Sequence, residues 1–121
     1  MGILVHGITN CDTVKRARAW LDERAVAYEF VDFRKSGAPA AVIGPWIAAL
    51  GWEALVNRSG MTWRRLDEAR RGAVRDAESA GALMQAQPSV IRRPVVRWAD
   101  GSLTVGFDPR VFEERLRAAP R

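Results

Sequence analysis

Residues 3 to 33 change hydrophobic period twice. Ile3-Leu4-Val5-His6 is a short β-type run closed by Gly7 and predicts a buried strand. From Thr13 to Arg24, Val14, Ala17 and Leu21 recur at helical spacing with Trp20 beside them. Lys15, Arg16, Arg18, Asp22 and Glu23 fall on the other side, which predicts an amphipathic helix. Tyr28-Glu29-Phe30-Val31-Asp32-Phe33 alternates aromatic or branched residues with acids and predicts a second strand. A helix between two short strands implies a crossover with the strands parallel.

The middle of the chain has no strand pattern. After the breaker cluster Ser36-Gly37-Ala38-Pro39, the residues Val42, Ile43, Trp46, Ile47 and Leu50 form one helical face that stops at Gly51. Pro45 conflicts with it, and is expected either to mark the first turn or to kink the helix. Trp52 to Leu55 reads as a short helical piece and 57–60 as a loop. Thr62 is a candidate cap for a helix through Leu66 and Ala69. A further helix is expected from Glu78 to Ala86, with Ala82 and Leu83 inward, ending before Pro88.

Beyond it the pattern returns to β. Val95-Val96-Arg97-Trp98 and Leu103-Thr104-Val105 flank Asp100-Gly101, a strong hairpin signal. Asp108-Pro109 then opens a last helix, Asp as N-cap and Pro at the first helical position, with Val111, Phe112 and Leu116 on its buried face. The order β-α-β, helical block, β-β-α is that of an α/β, thioredoxin-like fold: a mixed four-stranded sheet with an inserted helical lobe. We expect one domain over 1–121, with its core in 1–35 and 89–121 and the insertion in 36–88.

Composition narrows the chemistry. With 48% hydrophobic and 27% charged residues, the chain is of ordinary globular type and not disordered. It holds one Cys and one His, which excludes an internal disulfide and a Cys/His zinc site. A Cys-His or Ser-His pair would have to be built on His6. No apolar run approaches the length of a membrane span, and the first residues lack the basic start of a signal peptide; a reducing, cytoplasmic setting is expected for the lone thiol. The net charge of +5, from 17 Arg and 2 Lys against 14 acids, fits either a solvated surface or an anionic partner. The five tryptophans fall at core-like positions, so nucleic-acid binding has only charge in its favour and is not expected.

Cys11 is the candidate nucleophile. It follows the first strand and enters the first helix, where backbone N–H groups and the dipole stabilise a thiolate. Asn10 and Thr13 flank it as candidate binding residues, Thr13 through its hydroxyl, and Asp12 opposes the negative sulfur. Position 14 is Val, so there is no Cys-x-x-Cys pair and the resolving thiol must come from outside, with glutathione the cellular candidate. Arg92-Arg93-Pro94 precedes the third strand. Pro94 there would leave adjacent backbone for an extended peptide such as glutathione, and Arg93 could grip a carboxylate or oxyanion as a fork. Arg58, in the polar loop of the helical lobe, is a weaker candidate, and Arg92 reads as surface charge.

The segments Gly7-Ile8-Thr9-Asn10-Cys11-Asp12-Thr13-Val14-Lys15-Arg16-Ala17-Arg18-Ala19-Trp20-Leu21, Leu55-Val56-Asn57-Arg58-Ser59-Gly60 and Met84-Gln85-Ala86-Gln87-Pro88-Ser89-Val90-Ile91-Arg92-Arg93-Pro94-Val95 resemble the ArsC-like arsenate reductase and Spx family, and within it the YffB-like subgroup. The resemblance implies a nucleophilic cysteine at Cys11. In the arsenate reductases that cysteine attacks arsenate, glutathione resolves the adduct, glutaredoxin recycles the enzyme and three arginines hold the oxyanion. Arg93 matches one arginine, and Arg58 matches another with the loop register shifted by one. The third falls near 105–108, where this sequence has no Arg, and the family's His four residues before the Cys is here Gly7. These departures point away from arsenate and toward a glutathione-dependent thiol/disulfide reductase. Glutathione would be its co-substrate, glutaredoxin its recycling partner, a small-molecule or protein thiol its substrate, and no cofactor would be tightly bound. The alternatives are arsenate reduction proper and an Spx-like regulator that contacts RNA polymerase without catalysis, although Val14 removes the Cys-x-x-Cys switch such regulators use.

Overall fold

Strand β1 (Ile3–Gly7) pairs in parallel with β2 (Tyr28–Asp32), in register from Ile3 opposite Tyr28 to Gly7 opposite Asp32, with α1 (Asp12–Glu23) between them in the chain. The architecture is that of a computed structural model describing residues 2–118; the ends of the expected 1–121 span lie outside them. The buried positions of α1 are Val14, Ala17, Trp20 and Leu21, the set its period predicts. The helix closes through Ala25, which adopts φ +54°. The N–H groups of Ala25 and Val26 return to the carbonyls of Asp22 and Leu21, both at 3.0 Å, a Schellman-type end that normally carries glycine.

The second strand is shorter than the alternation suggests. Phe33 opens a four-residue helix, α2 (Phe33–Ser36), and buries its ring. Burial of that one side chain outweighs the period-2 signal leading up to it.

Helix α3 (Ala40–Leu50) has Pro39 as its N-cap residue and runs through Pro45. Pro45 is therefore not a first-turn proline. Its missing N–H deprives the Ala41 carbonyl of a partner, and both residues are exposed, so water can satisfy that oxygen. Helix α4 (Trp52–Leu55) follows Gly51. The expected helix through Leu66 and Ala69 is instead two helices, α5 (Met61–Arg65) and α6 (Glu68–Gly72). Leu66 is extended, and Asp67 caps α6 by accepting from the Arg70 N–H. Gly60, not Thr62, is the N-cap residue of α5. Helix α7 (Ala77–Ala86) begins with a reciprocal capping box between Asp76 and Ser79. It turns Ala80, Gly81, Leu83 and Met84 inward and leaves Ala82 exposed, which corrects the expectation for Ala82. A 3₁₀ turn (Pro88–Val90) follows.

Strand β3 (Val95–Arg97) runs antiparallel to β1, and β4 (Leu103–Val105) antiparallel to β3, giving a sheet of order β2-β1-β3-β4. The hairpin turns through three residues. The Trp98 N–H donates to the Ser102 carbonyl and the Gly101 N–H to the Trp98 carbonyl, each at 2.8 Å, with Gly101 at φ +87°. Helix α8 (Pro109–Arg117) has Asp108 as its cap and Phe112 as its buried anchor. The rings of Trp20, Trp98 and Phe107 each meet Phe112 edge-on, at 5.6, 4.8 and 4.9 Å. Val5, Ala17, Leu21 and Val96 complete this core. The mixed sheet with its flanking helices is the thioredoxin-like architecture.

The chain forms two compact units, Met1–Phe33 with Arg93–Arg121, and Arg34–Arg92. The first contains the sheet, α1 and α8. The second is helical, with Ile43, Trp46, Leu55, Leu83, Met84 and Ile91 among its buried residues. An antiparallel bridge between Val56 and Ile91 ties its loop to its last segment.

Candidate active site

From the end of β1 the chain passes through buried Ile8 and exposed Thr9 and Asn10 to Cys11. The loop is tied to β2 by one carboxylate: Asp32 Oδ2 accepts from the Thr9 N–H at 3.0 Å and from the Thr9 hydroxyl at 2.6 Å. Two residues later Cys11 takes the N-cap position of α1, extended at φ −143° and ψ 123°, and its carbonyl accepts the Lys15 N–H at 2.9 Å. The loop therefore delivers the sulfur to the N-terminal end of the helix.

Four influences set the thiol's acidity. Partial burial pushes its pKa up, but the Val14 N–H, a hydrogen bond and charge from the Arg93 guanidinium, and the Thr13 N–H together outweigh burial and hold it below 9.0. The thiol makes no full capping hydrogen bond; the helix amides act as donors directed toward the sulfur, which favour the thiolate. Thr13 contributes its backbone N–H rather than the hydroxyl expected from the sequence, and Asp12 is solvent-exposed. Cys11, Thr13 and Arg93 are thus brought together, while Asn10 lies exposed beside them in the chain.

The Arg93–Pro94 peptide is cis, and Pro94 is buried. The Pro94 carbonyl already accepts the Gly106 N–H at 2.9 Å, and proline has no N–H to offer. Arg92 is exposed, and its N–H donates to the Leu55 carbonyl at 2.6 Å. Arg58 belongs to the helical unit, where its guanidinium lies 5.5 Å from the Trp52 ring and 5.8 Å from the Trp63 ring.

His6 is buried opposite Val95. Burial and the charge of Arg97 lower its pKa below 6.5, against a raising hydrogen bond to the Val95 backbone. The next residue carries more information. A Cβ on Gly7 would stand 2.9 and 3.1 Å from the two Val14 methyl carbons and 3.4 Å from the Phe30 ring. The space for a side chain at position 7 is filled by Val14.

Asp32 was not among the candidates from sequence, and linear spacing offers no signal for it. It lies 23 residues from Thr9 and meets it only because β1 and β2 are parallel neighbours.

A family model described as the ArsC family matches residues 6–115. The chain belongs to the ArsC family. It is 33% identical over 111 residues to an uncharacterised protein of Haemophilus influenzae, covering 92% of this chain and 96% of that one. Among solved structures, it resembles the YffB (PA3664) protein at 44% identity, with a TM-score of 0.88 over 94% of this chain and 98% of that chain. An arsenate reductase (ArsC) related protein of Brucella melitensis is also 44% identical, with a TM-score of 0.74 over 97% and 96% of the two chains. Family and neighbours together support a thiol-reductase-like protein on the thioredoxin-like fold of ArsC.

Proposed function

We propose that this ArsC-family protein is a glutathione-dependent thiol/disulfide reductase in which Cys11 is the sole nucleophile. The observation that carries the reading is the place of Cys11 as the N-cap residue of α1, where the Arg93 guanidinium and the helix amides lower the thiol's pKa and favour thiolate over thiol. Cys11 is the only cysteine in the chain, so the reaction draws its second thiol from solution.

The steps balance without a metal or cofactor. The Cys11 thiolate attacks the glutathione sulfur of a mixed disulfide, the substrate sulfur leaves as thiolate and takes a proton, and a Cys11–glutathione disulfide forms. A glutathione thiolate then attacks the glutathione sulfur of that adduct, releasing oxidised glutathione and regenerating the Cys11 thiolate. Net, one reduced glutathione and one mixed disulfide give the free substrate thiol and one oxidised glutathione, with no change in the total number of disulfide bonds. Arg93 steadies the Cys11 sulfur when it is the leaving group and offers its guanidinium to a glutathione carboxylate. Thr13 supports the sulfur, and Asn10 borders the approach. Glutaredoxin is the proposed recycling partner, and the cytoplasm the setting in which reduced glutathione is abundant. Arsenate reduction ranks lower, because residues 105–108 contain no arginine and position 7 has no room for a histidine.

Mass spectrometry after exposure to oxidised glutathione tests the reading. One glutathione on Cys11, removed by excess reduced glutathione, is expected. A protein that remains unmodified while Cys11 still reacts with iodoacetamide would refute it.

A further inference from the structure

The positive charge of this protein is not evenly spread. The helical unit, residues 34–92, holds nine Lys or Arg against five Asp or Glu, or +4 of the chain's +5. Within it, Arg58, Arg64, Arg65, Arg70 and Arg71 fall in one short stretch that contains only two acids, Asp67 and Glu68. Asp67 is engaged as the cap of α6. Among the described residues none of the five guanidinium groups forms an ion pair within 4 Å.

The stretch is contiguous in space. Arg58 lies against the Trp63 ring, Trp63 sits in α5 beside Arg64, and Arg71 reaches back from α6 to donate to the Arg64 carbonyl at 3.4 Å. Met61, at the start of α5, is 63% exposed and is the one large hydrophobic side chain so exposed among the described residues. An exposed apolar side chain thus lies in the same short stretch as five arginines without ion pairs and the half-buried Trp63.

We propose that this face, residues 57–71, docks an acidic, partly apolar segment of another protein. The positive field calls for carboxylates, and burying Met61 calls for an apolar side chain between them. Arg, Trp and Met are the residues enriched at protein interfaces, while Lys is depleted there; the stretch has no Lys. Nucleic acid fits less well. Met61 gains nothing from a phosphate backbone, and the indole rings that would stack on bases are both engaged by Arg58. The inference stands independently of the reductase chemistry.

Fluorescence anisotropy at physiological salt tests it with three labelled probes of equal length: a Glu-Glu-Leu repeat peptide, oligoglutamate and oligouridine. The Glu-Glu-Leu peptide should bind several-fold tighter than oligoglutamate, and Met61→Ser should abolish that preference. Arg64→Glu with Arg65→Glu should weaken the peptide about tenfold, a change that corresponds to about 1.4 kcal/mol. Arg16→Glu with Arg110→Glu makes the same charge change on exposed residues outside residues 57–71 and should leave affinity within about twofold. Equal losses in the two double variants would reduce the effect to net charge and overturn the proposal. Tighter binding of oligouridine, or no preference for the leucine-containing peptide, would overturn it as well.

Discussion

Asp32 and Thr9 are joined by two hydrogen bonds to a single carboxylate oxygen, at 3.0 Å from the backbone N–H and 2.6 Å from the hydroxyl. The pair fixes the loop two residues before Cys11, so the position of the sulfur depends on a strand 23 residues away in sequence. Asp32→Ala should lower turnover of a glutathione mixed disulfide several-fold. It should cost about 1 kcal/mol of stability, the usual worth of such a bond. Asp32→Asn retains an acceptor oxygen and should recover most of the rate. Steady-state kinetics of the two variants, with urea unfolding, checks this.

The rate of Cys11 alkylation by iodoacetamide should rise with pH to a midpoint below 9.0, because helix amides and Arg93 outweigh burial. Arg93→Ala removes a hydrogen bond and a charge that favour the thiolate, so the midpoint should move up. Arg93→Lys keeps the charge without the fork and should fall between. A midpoint that stays put in Arg93→Ala would assign the acidity to the helix alone.

Arg93→Ala should also weaken glutathione binding by about tenfold or more, since hydrogen bonds to charged groups contribute about 1.5–3 kcal/mol and about 1.4 kcal/mol is a factor of ten. Arg92→Ala is the internal comparison and should change affinity little, because its side chain is exposed and its backbone N–H bond to Leu55 survives the substitution. Titration calorimetry on the two variants reads the difference.

His6 gives folding stability a pH dependence with a defined sign. Burial and Arg97 lower its folded pKa below 6.5. Above that value both states are neutral. As pH falls through the window between 6.5 and the lower folded value, the unfolded chain binds a proton that the folded chain resists, so stability is lost. The Asp76 and Asp100 carboxyls, lowered from 3.8 by their bonds to Ser79 and Ser102, act only at more acid pH. Urea titrations from neutral pH downward should show the loss in the wild type and a flatter profile in His6→Gln.

Ala25 holds a left-handed conformation, φ +54°, at an exposed helix end. Glycine meets no Cβ penalty there, whereas an L-residue costs about 1–2 kcal/mol. Part of that gain is offset by glycine's greater freedom in the unfolded chain. Ala25→Gly should therefore stabilise the protein by about 0.5–1 kcal/mol, read as a rise in the urea midpoint at unchanged slope.

The long periodic elements were legible in the sequence because one dominant force wrote them. The buried face of α1, the Asp100-Gly101 hairpin and the Asp108-Pro109 helix start each combine apolar spacing with a local backbone signal. The short helices α2, α4, α5 and α6, of four or five residues each, were less legible, because they are too short for a period to repeat. There a single residue decides: Phe33 by burying its ring, Asp67 by capping α6 and splitting one expected helix into two. The places of Cys11 after β1 and of Arg93 before Pro94 were readable, and the structure puts the two side chains near one another. The Thr13 contribution came from backbone instead of hydroxyl, because the N-cap geometry of Cys11 sets which groups face the sulfur. Nor could spacing reveal that the Pro94 carbonyl is taken by Gly106, a contact made only once β4 has docked on β3.

The packing of Val14 against Gly7, 2.9 Å from where a Cβ would sit, restricts the order in which this protein could acquire other chemistries. A histidine cannot enter position 7 while valine stands at 14, since the methyl groups hold its space. Trimming Val14 first would open a void in a residue site with no solvent exposure, at a cost in stability before any benefit. The histidine of an arsenate enzyme and the residue one turn into α1 are therefore coupled choices. Gly7→His alone should fold poorly, Val14→Ala alone should fold but weakly, and only the pair opens a path between the two kinds of active site.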